Sequence, residues 1–291
     1  MEDDKGGAVH LESSFENTFM PITTFASGEG LAYRPDIFCF PIQIVNVCFI
    51  GDPNKPEDGW VLVDAGMPRS AKKIIAAAEE RFDRAPTAII LTHGHFDHVG
   101  AIIELIEHWN APVYAHKREL PYLTGKSDYP PADPSVHGGL IAQMSSFFPH
   151  DGINLDDRVQ PLPPGGNIPG LPDWRYIHTP GHTPGHISLF RQDDGTLIAG
   201  DAFVTVKQES LYKVMTQEQE ISGPPKYFTT DWEAAEKSVK KLEDLNPYLA
   251  ITGHGEPMFG ETLKDNLKLL TQKFNEIAVP KQGLYVHNKL H

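Results

Sequence analysis

Residues 92–98 read Thr92-His93-Gly94-His95-Phe96-Asp97-His98, and they directly follow the apolar run Ala88-Ile89-Ile90-Leu91. A short continuous run of this kind predicts a buried strand. Beyond the motif, apolar side chains recur at helical spacing from Val99 to Trp109, which predicts a helix. Three imidazoles and a carboxylate thus occupy a strand-to-helix loop, where such side chains are costly to a fold and useful to a metal ion.

Three later motifs contribute residues of the same types. His178-Thr179-Pro180-Gly181-His182, Ala199-Gly200-Asp201-Ala202 and Gly253-His254-Gly255 are the motifs in question. His93 and His95 lie two residues apart and can point the same way, toward one cation. His182 is expected to supply the third imidazole ligand of that cation. Asp97, His98 and His254 are then left for a second cation, and the Asp201 carboxylate bridges the two.

The expected chemistry of such a pair is hydrolysis. Two cations about 3.5–4 Å apart lower the pKa of a bridging water from 15.7 toward roughly 7, so that a hydroxide is available at neutral pH. We assign catalytic roles to Asp201 and Asp97 together with this metal-bridging hydroxide. The leaving group is caught by the second cation or protonated through Asp97 or a water.

Composition limits the function classes. The chain has 291 residues, of which 40% are hydrophobic and 22% charged, as in an ordinary globular protein with a sizeable core. Its net charge of −14 disfavours a nucleic-acid partner. The acidic N-terminus has no apolar run behind it, so we expect a cytoplasmic protein without a membrane partner. Cys39 and Cys48 are expected to be buried thiols, because two cysteines make no disulfide scaffold.

Strand and helix patterns alternate along the chain. Ile42 to Ile50 and Trp60 to Val63 predict neighbouring antiparallel strands, and 71–82 predicts a helix with Ser70 as its N-cap. Further strands are expected at 112–115, 175–178, 186–190, 196–198 and 248–252, with a hairpin turn at 193–195. Helices are expected at 139–148, at 232–245 with Asp231 as N-cap, and at 261–277. The order predicts an α/β sandwich of two sheets with helices on both outer faces.

The four motifs, in this order, resemble those of the metallo-β-lactamase superfamily, and Val63-Asp64-Ala65-Gly66 matches its first motif. The resemblance extends from about Ile42 to Gly255. It implies an αββα sandwich, with two mixed β-sheets flanked by helices and a dinuclear site at one edge. It also implies a supporting role for Asp64 and a structural one for His186.

Within the superfamily, the bridging Asp201 resembles the glyoxalase II and lactonase-like branch more than the true β-lactamases. The chain ends too soon after His254 for the glutathione-binding portion of glyoxalase II, which makes glutathione thioesters a less favoured substrate. The lactonases carry a tyrosine three residues after the bridging aspartate. This chain has Val204 there, and Tyr212 is the candidate substitute.

We therefore predict a dinuclear metallohydrolase that acts on a small ester-like substrate: a lactone, ester, thioester or lactam. Phosphotriester or phosphodiester hydrolysis and an iron-dependent oxidoreductase of the same superfamily are the alternatives. Zinc is the expected metal, although iron, manganese or cobalt suits these ligands as well. The candidate substrate-binding residues are Phe96, Met144, Phe203 and Tyr212.

We predict one domain over residues 1–291. It comprises an N-terminal extension to about residue 35, a lid or pocket wall over 117–172, and a C-terminal helix and tail over 260–291. A small molecule is the expected partner, and the sequence leaves a homodimer open.

Overall fold

Two β-sheets lie at the centre of the structure, a computed structural model that describes residues 11–14, 23–24, 26–136, 145, 148–206 and 219–286. In the first sheet, described strands neighbour one another in chain order, antiparallel as far as β4 and parallel from there on. They are β1 (Leu31–Arg34), β2 (Ile37–Ile42), β3 (Val45–Ile50), β4 (Val61–Val63), β5 (Ala88–Ile90), β6 (Val113–Ala115) and β7 (Val159–Pro161).

The second sheet also follows chain order, and β11 with β12 is its parallel pair among otherwise antiparallel neighbours. Its described strands are β8 (Asn167–Ile168), β9 (Leu171–His178), β10 (Ile187–Arg191), β11 (Thr196–Gly200), β12 (Leu249–Thr252) and β13 (Met258–Phe259). The described α-helices are α1 (Ala71–Glu79), α2 (Phe96–Val99), α3 (Ile102–Trp109), α4 (Leu120–Leu123), α5 (Trp232–Glu243), α6 (Gly260–Gln272) and α7 (Phe274–Ile277).

Three apolar clusters arrange these elements in four layers. Between the sheets, side chains such as Val63 and Ile90 of the first pack with Leu189 and Ile251 of the second. Helices α1 and α3 cover the outer face of the first sheet, and α5 and α6 cover that of the second. Each fully buried aliphatic side chain of this kind contributes about 1.5–3 kcal/mol. The layering confirms the predicted αββα sandwich of two mixed sheets flanked by helices.

Most predicted elements are confirmed, with ends that differ by a few residues, and the helix predicted at 261–277 is divided at Lys273 into α6 and α7. The Asp231 side chain caps α5 as predicted, accepting a hydrogen bond from the backbone N–H of Ala234 at 2.9 Å. Ser70 is the N-cap residue of α1 as predicted, and its carbonyl accepts the first hydrogen bonds of the helix, but its hydroxyl donates to the Met67 carbonyl and makes no side-chain cap. The helix predicted at 139–148 lies outside the described residues apart from Ser145 and Phe148.

The apolar run through residues 42–50 spans the end of β2 and all of β3, rather than being one strand. The chain reverses at Gln43, whose φ is 57°, and Cys39 of β2 pairs directly with Cys48 of β3. Both cysteines are free thiols buried between the sheets, as expected. Within the interval predicted as a lid, β7 extends the first sheet and β8 the second. None of the helices in the described ranges is both long and apolar enough to cross a bilayer.

Candidate metal centre

The candidate ligands meet at one edge of the sandwich, where several strands end. His93 and His95 follow β5, His182 lies in the loop after β9, Asp201 follows β11 directly, and His254 follows β12. Within the second sheet, β9, β11 and β12 run in the same direction, so their carboxyl ends share an edge. In α/β folds this is where ligands bind.

The structure brings all seven predicted ligand residues together, and each of them, backbone and side chain counted together, is buried. Their nitrogen and oxygen atoms form three overlapping sets, and within each set the atoms lie within 4.8 Å of one another. The sets are His93, His95 and His182; His93, His98 and Asp201; and Asp97, His98 and His254. Neighbouring sets share an imidazole, so the site is one continuous cluster.

Three buried atoms of the middle set, among the described residues, have no hydrogen-bond partner: Nε2 of His93, Nε2 of His98 and Oδ1 of Asp201. A buried polar atom without a partner costs about 1–3 kcal/mol, so such a convergence needs an explanation. Imidazole nitrogens and a carboxylate oxygen are the donors that zinc and similar divalent cations take in proteins. The donor set therefore fits a metal ion.

Four of the imidazoles have a polar neighbour at Nδ1. His98 pairs with Asp64 at 2.8 Å, and His254 with the Ile44 carbonyl at 2.7 Å. His182 lies 3.2 Å from the Thr229 hydroxyl, and His93 lies 3.1 Å from that of Thr92. A partner at Nδ1 sets the tautomer and leaves the Nε2 lone pair for a metal ion. His95 is turned the other way, with Nδ1 placed 2.9 Å from Nε2 of His182.

Asp64 supports this arrangement without joining the ligand sets of the described residues. Its carboxylate accepts hydrogen bonds from the backbone N–H of Thr92, the Thr92 hydroxyl and Nδ1 of His98, each at 2.8 Å. Its φ of 62° is uncommon for a non-glycine residue, and such conformations persist where the surroundings hold them. Asp64 thereby joins the loop after β4 to the histidine loop after β5.

Electrostatics divide the cluster into two parts. Burial lowers the pKa of His93 and His95 well below the usual range and that of His182 to about 4. These three imidazoles are therefore neutral near pH 7, as metal ligation requires.

The other part contains the carboxylates. For His98 and His254, burial acts to lower the pKa, but nearby carboxylates led by Asp201 outweigh it and raise the pKa. For Asp201, burial acts to raise the pKa, and those two imidazoles outweigh it and hold the pKa well below its ordinary range. The carboxylates of this part of the site therefore favour positive charge beside them, which is what a bound cation would supply.

Asp97 marks the open side of the cluster. Its side chain is 11% exposed, compared with 2% or less for His98, His182, Asp201 and His254. Burial nevertheless raises the pKa of Asp97. Beside His95 lies an aromatic wall, defined here as the buried side chains of Phe96, Phe148, Tyr227 and Phe228. The Phe228 ring stacks on His95 with the centroids 4.6 Å apart.

The predicted substrate-binding residues are placed differently from one another. Phe96 belongs to the aromatic wall and is 3% exposed, whereas Phe203 is fully buried in the apolar cluster beneath α5 and α6. Met144 and Tyr212 lie outside the described residues. The substrate-binding roles of all four residues stay predictions.

His186, expected to be structural, contacts the backbone of the candidate ligand Asp201. Its Nε2 accepts a hydrogen bond from the Asp201 N–H at 2.9 Å, and its Nδ1 lies 2.9 Å from the Thr179 hydroxyl. Burial lowers the pKa of His186 to about 3, so the ring is neutral and can accept that bond. His186 thus positions the backbone of Asp201.

Asn46, Glu119 and Thr229 are among the supporting residues that sequence reasoning missed. The Asn46 amide donates to the carbonyls of Thr252 and Gly255, on either side of His254. Thr229 contacts His182, and Glu119 accepts hydrogen bonds from both histidine loops. None stands beside a ligand in the chain, so no local spacing signal points to it.

Comparison with known proteins agrees with this geometry. A family model described as the metallo-beta-lactamase superfamily matches residues 42–254, which include all candidate ligands. The probable metallo-hydrolase YflN of Bacillus subtilis (strain 168) is 49% identical over 261 residues, covering 89% of this chain and 98% of that protein. The hydroxyacylglutathione hydrolase GloC of Haemophilus influenzae is 26% identical over 201 residues, covering 68% and 81%. A solved structure of TTHA1623 in a di-iron-bound form shares the fold, with a TM-score of 0.53 and 24% identity over 81% of this chain and 97% of that one.

Proposed function

The chain belongs to the metallo-beta-lactamase superfamily and is a metallo-hydrolase, and from this premise we propose that it uses two divalent cations to hydrolyse a small ester-like substrate. Lactones, esters, thioesters and lactams form the proposed class. His93, His95 and His182 would hold the first ion; Asp97, His98 and His254 would hold the second. When bound, such ions acidify water and polarise a carbonyl oxygen.

One observation carries the proposal of a shared, two-ion site. Oδ2 of Asp201 lies 3.5 Å from Nε2 of His182, which belongs to the first set. The same oxygen lies 3.6 Å from Nε2 of His98 and 3.3 Å from Nε2 of His254, which belong to the second. A carboxylate so placed can serve both ions, and its low pKa keeps it charged.

The surroundings favour a small substrate with an apolar part. The aromatic wall packs against His95 and so places apolar side chains next to a candidate ligand of the first ion. A net charge of −14 disfavours polyanions, and with them nucleic acids as phosphodiester substrates. Cys39 and Cys48 are buried between the sheets, so neither thiol is placed to act as a nucleophile. The protein's own contribution is to orient the ligands, keep the first three imidazoles neutral and hold the Asp201 carboxylate ionised.

The first experiment counts the ions. Apoprotein prepared with a chelator is titrated with Zn²⁺ in competition with a chromophoric chelator, and we expect two equivalents to bind. Elemental analysis of protein as purified, together with oxygen-consumption measurements, tests zinc against iron. A single equivalent, or iron with oxygen uptake, would contradict the proposal and favour the oxidoreductase alternative.

The second experiment measures turnover. Protein of known metal content is assayed with lactone, ester, thioester, β-lactam and phosphotriester probes, and Asp201→Asn is compared with Asp83→Asn, which alters an exposed carboxylate of similar chemistry. We expect hydrolysis of at least one acyl probe, its loss in Asp201→Asn and full activity in Asp83→Asn. A fully loaded protein that hydrolyses no probe would refute the proposed activity.

A further inference from the structure

We propose that Glu119 is a positioning residue that fixes the ligands of the first ion relative to one another. The inference rests on the proposed function, because it concerns the ion that His93, His95 and His182 would hold. Glu119 is the N-cap residue directly before the short helix α4, and in the chain it lies between the histidine loop after β5 and the loop that carries His182. It is fully buried, although it carries a carboxylate.

The Glu119 carboxylate joins the two loops that carry these ligands. On one side, Oε1 accepts a hydrogen bond from the Thr183 hydroxyl at 2.6 Å and from the Gly185 N–H at 2.7 Å. On the other side, Oε2 accepts one from the Gly94 N–H at 3.3 Å and one from the Tyr129 hydroxyl. Gly94 lies between His93 and His95, and Thr183 directly follows His182. One side chain therefore sets the spacing between a loop of the first sheet and a loop of the second.

Tyr129 strengthens the link on the first loop. Its hydroxyl accepts a hydrogen bond from the Gly94 N–H at 3.0 Å and donates its own hydrogen to Glu119. Its ring packs against His95 with the centroids 4.6 Å apart. The phenol thus restrains both the backbone and the imidazole at this point.

Gly94 and Gly185 have no side chain, and this leaves room for Tyr129 and Glu119 to lie directly against the two loops. A Cβ added at Gly94 would lie 2.6 Å from the Tyr129 hydroxyl oxygen, and one added at Gly185 would lie 2.6 Å from the backbone nitrogen of Glu119. Real Cβ atoms essentially never approach so closely. Both loops are therefore built to lie directly against the Glu119 and Tyr129 pair.

The chemistry requires an acceptor at both oxygens. All four groups that contact the carboxylate act as donors, and a charged acceptor makes the stronger kind of hydrogen bond. An amide of the same shape presents an N–H₂ group to donors on one side. Glu119→Gln therefore keeps the volume and breaks the link between the loops.

The test isolates the first ion. Asp97→Asn removes a ligand of the second ion only, so Zn²⁺ titration of this variant with a chromophoric chelator reports the first site. We expect Glu119→Gln, introduced into the Asp97→Asn protein, to weaken Zn²⁺ binding at least tenfold, the scale of effect known for residues that orient metal ligands. Tyr129→Phe should give a smaller loss in the same direction.

A stability control separates positioning from general damage. Leu267→Ala opens a cavity in the apolar cluster beneath α6 and should lower the melting temperature without changing Zn²⁺ affinity. Equal Zn²⁺ affinity with and without Glu119→Gln, in a protein that otherwise binds two ions, would overturn this inference alone. An affinity loss matched by Leu267→Ala would also overturn it. If the Asp97→Asn protein bound no ion at all, both the proposed function and the inference about Glu119 would fail.

Discussion

Replacing Asp64 by Asn should weaken binding of the second ion without disturbing the backbone. Asn tolerates positive φ as Asp does, so the conformation at 62° is retained. The amide can face its donors in two ways. If its nitrogen replaces Oδ2, it meets the Thr92 hydroxyl and Nδ1 of His98, and the His98 proton is driven toward Nε2. If it replaces Oδ1, the buried Thr92 N–H loses its acceptor, which costs about 1–3 kcal/mol.

The magnitude follows from the role of such partners. Loss of a group that orients a metal ligand weakens metal binding about 10- to 100-fold, or about 1.4–2.8 kcal/mol. At a metal concentration about 100 times the wild-type Kd, an ion stabilises the fold by about 2.7 kcal/mol. After a 100-fold rise in Kd, the same concentration gives only about 0.4 kcal/mol.

The assay is stepwise Zn²⁺ titration combined with denaturant unfolding at fixed free metal. Asp156→Asn is the matched control, because Asp156 is also an aspartate at positive φ but is exposed and outside the ligand sets. Two unchanged Zn²⁺ affinities in a folded Asp64→Asn protein would refute the reasoning. An equal loss in Asp156→Asn would refute it as well.

Further outcomes are expected elsewhere in the molecule. Gly253→Ala should weaken metal binding about tenfold or more, because the added Cβ would lie 2.0 Å from Oδ1 of Asp201. Competitive titration measures this affinity, and a normal value would contradict the close packing of the loop against the carboxylate. Cys39 and Cys48 should resist a thiol reagent until the protein is unfolded, since both are buried and the pKa of Cys48 is raised well above its usual value by its contact with Cys39 and by burial. Burial lowers the pKa of His116 to about 4, so the unfolded chain takes up this proton first as the pH falls, and stability declines between pH of about 6.5 and 4. His116→Asn should reduce that decline by about 1 kcal/mol after allowance for solvent screening, measured by urea unfolding across this range, and an equal decline in both proteins would count against it.

The parts of the fold that could be predicted carry local signals. The buried strand before His93 is a continuous apolar run, and Asp231 is followed by helical periodicity, so both were recognisable. The reversal at Gln43 was not, because no Gly, Pro or Asn marks it and the strands on either side are equally apolar. Ser70 has the composition of a cap, but the nearby Met67 carbonyl takes its hydroxyl instead.

The candidate site divides in the same way. Its seven candidate ligands stand in short motifs, and the structure places these residues in one cluster. Glu119 has no such motif, since its contact with Gly185 joins residues 66 positions apart. In the sequence it is an ordinary charged residue within the interval 117–172, where a lid or pocket wall is expected. Only the assembled sandwich shows that this carboxylate is buried between two loops.

The hydrogen bond from His254 to the Ile44 carbonyl joins residues 210 positions apart. During synthesis, the amino-terminal imidazoles leave the ribosome long before the strand that completes their cluster. A nascent chain therefore holds only a partial chelate for most of translation. The proposed ligand set is complete only once β12 has docked beside β11, so full affinity for cations should arise late in folding.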